Sequence, residues 1–232
     1  LSVENLSIQE GPLGNANITA KWDEKIEGIS VEGRIVDLYR VPDALTGREK
    51  NITGITTVNG WISPARNDIQ INVGTHNTNA SFIHGFLGGI FKEVNGYVTG
   101  PISIIGPLND VNIVGDAVPH MNLRLRATNV PYHIEGDTLH LRPYLFDFKD
   151  ISIYDRFGHR STLNGQVTHR NMKNFKYDFH VNLHELLAYD EHEFNSDKFL
   201  ATVFANGTLT VSGSDGHPLY VNANVTPTKG SV

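Results

Sequence analysis

Val98-Thr99-Gly100-Pro101-Ile102-Ser103-Ile104-Ile105-Gly106, followed after a short turn by Val111-Asn112-Ile113-Val114-Gly115, is the stretch that decides the fold. Apolar residues alternate with small polar ones, which is the period of a strand buried on one face. The phrase returns near the C-terminus as Gly207-Thr208-Leu209-Thr210-Val211-Ser212-Gly213, then Leu219-Tyr220-Val221-Asn222-Ala223. Glycines bounding these runs fit turns, bulges or a close backbone approach. A chain assembled from such units predicts stacked β-hairpins with one long apolar inner face.

The rest of the chain has the same texture. Asn17 to Trp22, Ile29 to Leu38, Thr53 to Ile62 and Ile69-Gln70-Ile71-Asn72-Val73 alternate, with a polar loop over residues 42–50. Beyond Val94 almost everything reads as strand. The inward parity changes between Phe148 and Ile151, and a bulge at Lys149-Asp150 produces that shift. Asp155-Arg156-Phe157-Gly158 reads as a hairpin turn, and Thr162 to Val167 pairs with Tyr177 to Val181. Two segments read as helical. Phe82, Phe86 and Ile90 make a stripe over residues 79–91, capped by Asn79 or Ser81 and weakened by Gly85, Gly88 and Gly89. That segment is expected at the end or edge of the sheet. His184 to Tyr189 reads as one further turn of helix. The whole chain, 1–232, reads as one elongated all-β domain with a possible seam near 79–93.

Composition narrows the function. A net charge of −6 argues against a nucleic-acid partner, and the basic run Arg170 to Lys176 reads as a solvated hairpin tip. The absence of cysteine excludes disulfides, thiolate metal sites and cysteine nucleophiles. The chain begins with Leu1, so it reads as a fragment of a larger protein whose anchor or export signal lies outside it. No catalytic constellation assembles. His180, His184, Glu185, Glu191, His192 and Glu193 lack a metal motif, and Asp147, Asp150 and Asp155 fall at strand ends and a turn. No enzyme activity, cofactor or metal is expected.

From about Asn79 onward the chain resembles the C-terminal region of TamB, the translocation and assembly module of the AsmA-like superfamily, in its Bacteroidetes form. The matching residues are Asn79 to Phe91, Val94 to Leu108, Val114 to Ala117, Phe148 to Gly158, Leu163 to His169, Phe199, Gly207 to Gly213 and Asn224 to Ser231. The resemblance implies a β-taco, a sheet of stacked hairpins folded lengthwise around an apolar groove. It also implies an inner-membrane-anchored parent that spans the periplasm. Such a parent carries phospholipid toward the outer membrane and works with an outer-membrane β-barrel assembly partner.

Alternation supplies the lining such a groove needs. The candidates are Ile102, Ile104, Val111, Ile113, Leu139, Leu141, Phe146, Phe148, Ile151, Ile153, Leu163, Val167, Phe179, Val181, Leu209, Val211, Leu219 and Val221. The same residues would equally fill the dry core of a closed sandwich. Two other readings stand beside the lipid groove. One is an interaction module whose open edge near 225–232 pairs with an outer-membrane barrel. The other is a glycan-binding or glycan-cleaving β-solenoid, which needs a solvent-exposed aromatic platform or two convergent carboxylates. Trp22 and Trp61 are the only tryptophans, and neither stands beside an acidic pair.

Overall fold

The alternating runs form strands, and nearly every strand pairs with the next one in the chain. A computed structural model describes residues 2–8, 11–43, 46–88, 90–126, 128–192 and 200–232. Gly89, Glu193 and Phe199, singled out above, lie outside those residues. In chain order the first elements are β1 (Ser2–Ile8), β2 (Gly11–Asp23), β3 (Gly28–Pro42), β4 (Glu49–Ser63) and β5 (Asp68–Asn79). A 3-10 turn (Ser81–Ile83) and α1 (His84–Leu87) follow. Then come β6 (Phe91–Pro107), β7 (Asn112–Leu125), β8 (Pro131–Glu135), β9 (Leu139–Arg142) and β10 (Leu145–Asp155). The last are β11 (Arg160–Arg170), β12 (Lys173–Glu191), β13 (Ala201–Ser214) and β14 (Tyr220–Pro227). All belong to one antiparallel sheet of 14 strands laid out in sequence order. The short β9 shares a lane with β8, between β7 and β10. The proposed seam is bridged, because β5 pairs directly with β6.

The bulge in β10 stands where parity demands it. Register with β11 shifts between Phe148 and Ile151, and Asp150 turns left-handed at φ 53°. Its N–H donates to Asn164 Oδ1 at 2.9 Å, so the residue pushed out of the ladder keeps a partner. The following turn closes as expected, with the Gly158 N–H donating to the Asp155 carbonyl at 3.1 Å.

The two helical expectations need correction. His184 to Tyr189 is strand, the upper part of β12. A bulge at Glu185 (φ 49°) restores Leu186 to the face of Leu183. Leu187, on the other face, is also buried, because this end of β12 lies over β8 and β10. Two adjacent buried leucines imitate a helical pattern for that reason. The stripe at 79–91 is helical only over residues 81–87, and its glycines explain the brevity. It also sits on the apolar face of the sheet rather than at its edge. Phe82 packs with Leu13, Ala16 and Ile35, Ile83 with Val94 and Met121, and Ile90 with the cluster of Val167, Phe175 and Tyr177. Gly11 permits this docking: a Cβ there would stand 2.2 Å from Phe82 Cα.

Gly100, Gly115 and Gly207 of the strand phrase lie inside strands, whereas Gly106 and Gly213 stand one residue from strand ends. Gly207 sits within β13 at φ 135°, and a Cβ there would meet the Asn224 carbonyl oxygen at 2.1 Å. The neighbouring backbone occupies the place a side chain would take, so only glycine lets β14 approach this closely. Gly207→Val is expected to lose about 2 kcal/mol or more in urea unfolding, through strain and this clash. Thr208→Val, at the next and exposed position, should stay within about 0.5 kcal/mol of the native chain.

Candidate functional site

Residues paired in register across strands share a face. Applied strand by strand, the register collects the apolar side chains into rows on one side of the sheet. Trp22, Ile29, Ile62 and Ile69 form the row nearest one set of hairpin ends. Ala20, Val31, Ile71, Ile104 and Ile113 form the next. The third runs from Ile18 through Val58, Val73 and Ile102 to Leu141, Phe146, Val167 and Tyr177, with glycine in the lanes between. Farther along lie Phe148, Phe179, Val211 and Val221, then Ile151, Leu163, Val181 and Leu209.

This face changes character along its length. Trp22 is 64% exposed and Ile29 39%, while Ile102, Ile104, Val111 and Ile113 are half-buried. At the other extreme Ile151 is 1% exposed. It packs with Ile134, Ile153, Val181, Leu183, Leu186 and Ala205. The candidates thus fall into two zones. Leu141, Ile151, Ile153, Val167 and Val181 are core. Leu139, Phe146, Phe148, Leu163, Phe179, Leu209, Val211 and Leu219 are half-buried around that core, and Val221 is 57% exposed on the edge strand β14. All described strands belong to one sheet, so whatever covers the half-buried zone comes from that sheet and from the short helical segment docked on it.

The closed zone is made by the sheet rolling on itself. The Tyr132 hydroxyl of β8 donates to the Leu187 carbonyl of β12 at 2.7 Å, with two strands between them. Arg156 reaches Asp190 at 2.9 Å. At the opposite end the Val111 N–H donates to Asn171 Oδ1 at 3.1 Å. Two titratable groups on the apolar face, Tyr177 and His169, are shifted toward their neutral forms. Burial, aided by the Asp215 carboxylate that accepts its hydroxyl at 2.6 Å, pushes the Tyr177 phenol well above its ordinary range. Burial holds His169 below the usual imidazole value.

No site is expected from the sequence in residues 1–78, yet Trp22, Ile29, Ile62 and Ile69 are the open end of the face, with Ile71 buried in the next row. The signal was present in the alternation of Ile69 to Val73. The acidic residues do not converge, since β10 carries Asp147 and Asp155 at opposite ends and Asp150 on its bulge. Among the described residues no group of histidines and carboxylates could hold a metal, and no helix is long and apolar enough to cross a membrane. No protein-family model, curated protein or solved structure matches the chain.

Proposed function

We propose that the half-open apolar face shields lipid acyl chains. In this reading the chain is a periplasmic segment of a TamB-like protein that carries phospholipid from the inner toward the outer membrane and serves outer-membrane protein assembly. The sheet is then a β-taco, with its trough at the rows of Trp22 to Ile113. The observation that carries the reading is the continuity of exposed Trp22 and Ile29 with half-buried Ile62, Ile69, Ile102, Ile104 and Ile113 on one face of the sheet. Branched side chains without hydrogen-bonding groups suit a cargo that slides. Each methylene group withdrawn from water contributes about 0.8 kcal/mol with no directional demand.

The test is photo-crosslinking of a diazirine-bearing phospholipid to the chain, with mass spectrometry of lipid that co-purifies. Ile104→Asp is expected to cut crosslinking about tenfold or more. Its circular dichroism should stay native, because a half-buried carboxylate can still reach water. A native chain that neither crosslinks nor carries lipid after mild extraction would sink the reading.

A second reading has its own observation. Every residue of β14, Tyr220–Pro227, is exposed, and among the described residues the strand pairs only with β13. Such an edge can accept a strand from an outer-membrane barrel. Crosslinks confined to Tyr220 to Val225 and absent from Ile104 would favour it.

A further inference from the structure

The opposite parity of β6 to β10 builds a second surface. Tyr97, His120 and Glu135 are register partners across β6, β7 and β8. Asn95, Asn122, His133 and Tyr154 form the adjacent row across β6, β7, β8 and β10. Two aromatic pairs stack nearly parallel there. Tyr97 and His120 have ring centroids 4.8 Å apart at 23°, and His133 and Tyr154 are 4.9 Å apart at 19°. Pro42, Asp43, Thr46 and Gly47 line the other side of a cavity of about 390 Å³ over the second row. It adjoins a smaller one of about 140 Å³ over the first row. The Asn122 side-chain amide donates to the Pro42 carbonyl at 2.7 Å and fixes that wall. The larger volume lies in the range of small-molecule sites.

The chemistry of the lining selects the ligand. Its cations are already paired within the protein. Lys50 meets Asp43 at 2.6 Å, Arg124 meets Glu93 at 3.2 Å, and Arg156 meets Asp190 at 2.9 Å. An anion finds no uncommitted positive charge among them. The side chains of Asn95, Tyr97 and His133 and the Tyr154 hydroxyl hydrogen-bond no other described residue. Burial holds His133 below the usual imidazole value, so it is neutral near pH 7. Amide, phenol and neutral imidazole each donate and accept, as sugar hydroxyls do. Flat rings with negative faces attract the slightly positive C–H groups of a pyranose.

We propose that this cleft binds a neutral saccharide, with one pyranose ring against the His133–Tyr154 pair. The site is independent of the apolar trough, so the lipid reading can fail without it. The experiment is saturation-transfer difference NMR on the whole chain with maltotriose, cellotriose and N-acetylated chitotriose as probes, each at millimolar concentration. At least one is expected to receive saturation. Tyr154→Ala and His133→Ala should each weaken it tenfold or more, while Trp22→Ala on the apolar face leaves it unchanged. Tyr154→Phe keeps the stack and loses only the hydroxyl, so it should bind at an intermediate level even if the alanine variant folds poorly. Silence from all three probes would overturn the proposal. So would equal binding by Tyr154→Phe, Tyr154→Ala and the native chain, or binding of glycerol phosphate in place of the trisaccharides.

Discussion

Asp155→Ala is expected to destabilise the chain by about 3–5 kcal/mol, the scale for stripping a partner from a buried charged network. Asp155 ends β10 and is fully buried. Its carboxylate accepts four hydrogen bonds. The Phe157 N–H reaches Oδ1 at 2.8 Å and the His159 N–H at 3.0 Å, which shapes the β10–β11 turn. On Oδ2 fall the His159 Nδ1 at 2.9 Å and the Leu187 N–H at 2.9 Å. The last bond crosses from β10 to the upper end of β12, whose Leu187 is itself fully buried. Alanine would leave that amide without a partner and remove one of the ties that hold the roll shut. The Tyr132 hydroxyl, which donates to the Leu187 carbonyl, would lose its setting as well. Urea unfolding of the variant should show the lowered midpoint. Amide exchange should show Leu186 and Leu187 losing protection before Ile102 or Ile104 does. A loss under about 1 kcal/mol with unchanged exchange would mean that water replaces the carboxylate at no cost, and the roll would then have another cause.

Asp155 also shows what a sequence can and cannot disclose. Its turn was legible, because Asp and Gly at the ends of a four-residue connection satisfy local backbone needs. The bulge at Lys149-Asp150 was legible for a similar reason, since alternation counts residues and an extra one breaks the count. Burial on the second face was not legible. Leu187 lies under Tyr132 and Asp155, contacts that come from rolling a distant part of the sheet over it, and local pattern alone turned that strand into a helix. The close backbone approach expected of the glycines is present, and only their place along the strands differs. Their spacing suggests ends of strands, whereas Gly100 and Gly207 lie within strands and let the next backbone press in. The stacked cleft was the least legible feature. Tyr97, His120, His133 and Tyr154 come from four strands, and only the register places them side by side. The apolar face was legible as a parity, and its division into an open and a closed zone was not. That division depends on how tightly the sheet rolls, which no single strand records.

Ile151→Asp is therefore expected to behave unlike Ile104→Asp, although the two isoleucines stand alike in alternating runs. Ile151 is buried among Ile134, Ile153, Val181 and Leu186, with no polar group in that cluster to receive a charge. A carboxylate there must either stay ionised without a partner or take up a proton, and either way the cost exceeds about 4 kcal/mol. The variant should lose its cooperative urea transition, or keep it only at a pH low enough to protonate the new side chain. Ile151→Val, which removes a single methylene, should cost about 0.5–1.5 kcal/mol and retain the native spectrum, which shows that the position tolerates handling. Ile104→Asp should keep its transition, because Ile104 and its row partner Ile113 are half-buried, so the new carboxylate can reach water even though Ile71 on its other side is buried. The pair of measurements separates core from trough without any ligand present. Equal collapse of both variants would mean that the face is closed along its whole length, and the lipid reading would go with it. Equal tolerance would mean that the rolled end opens in solution, so that Ile151 and Val181 join the trough.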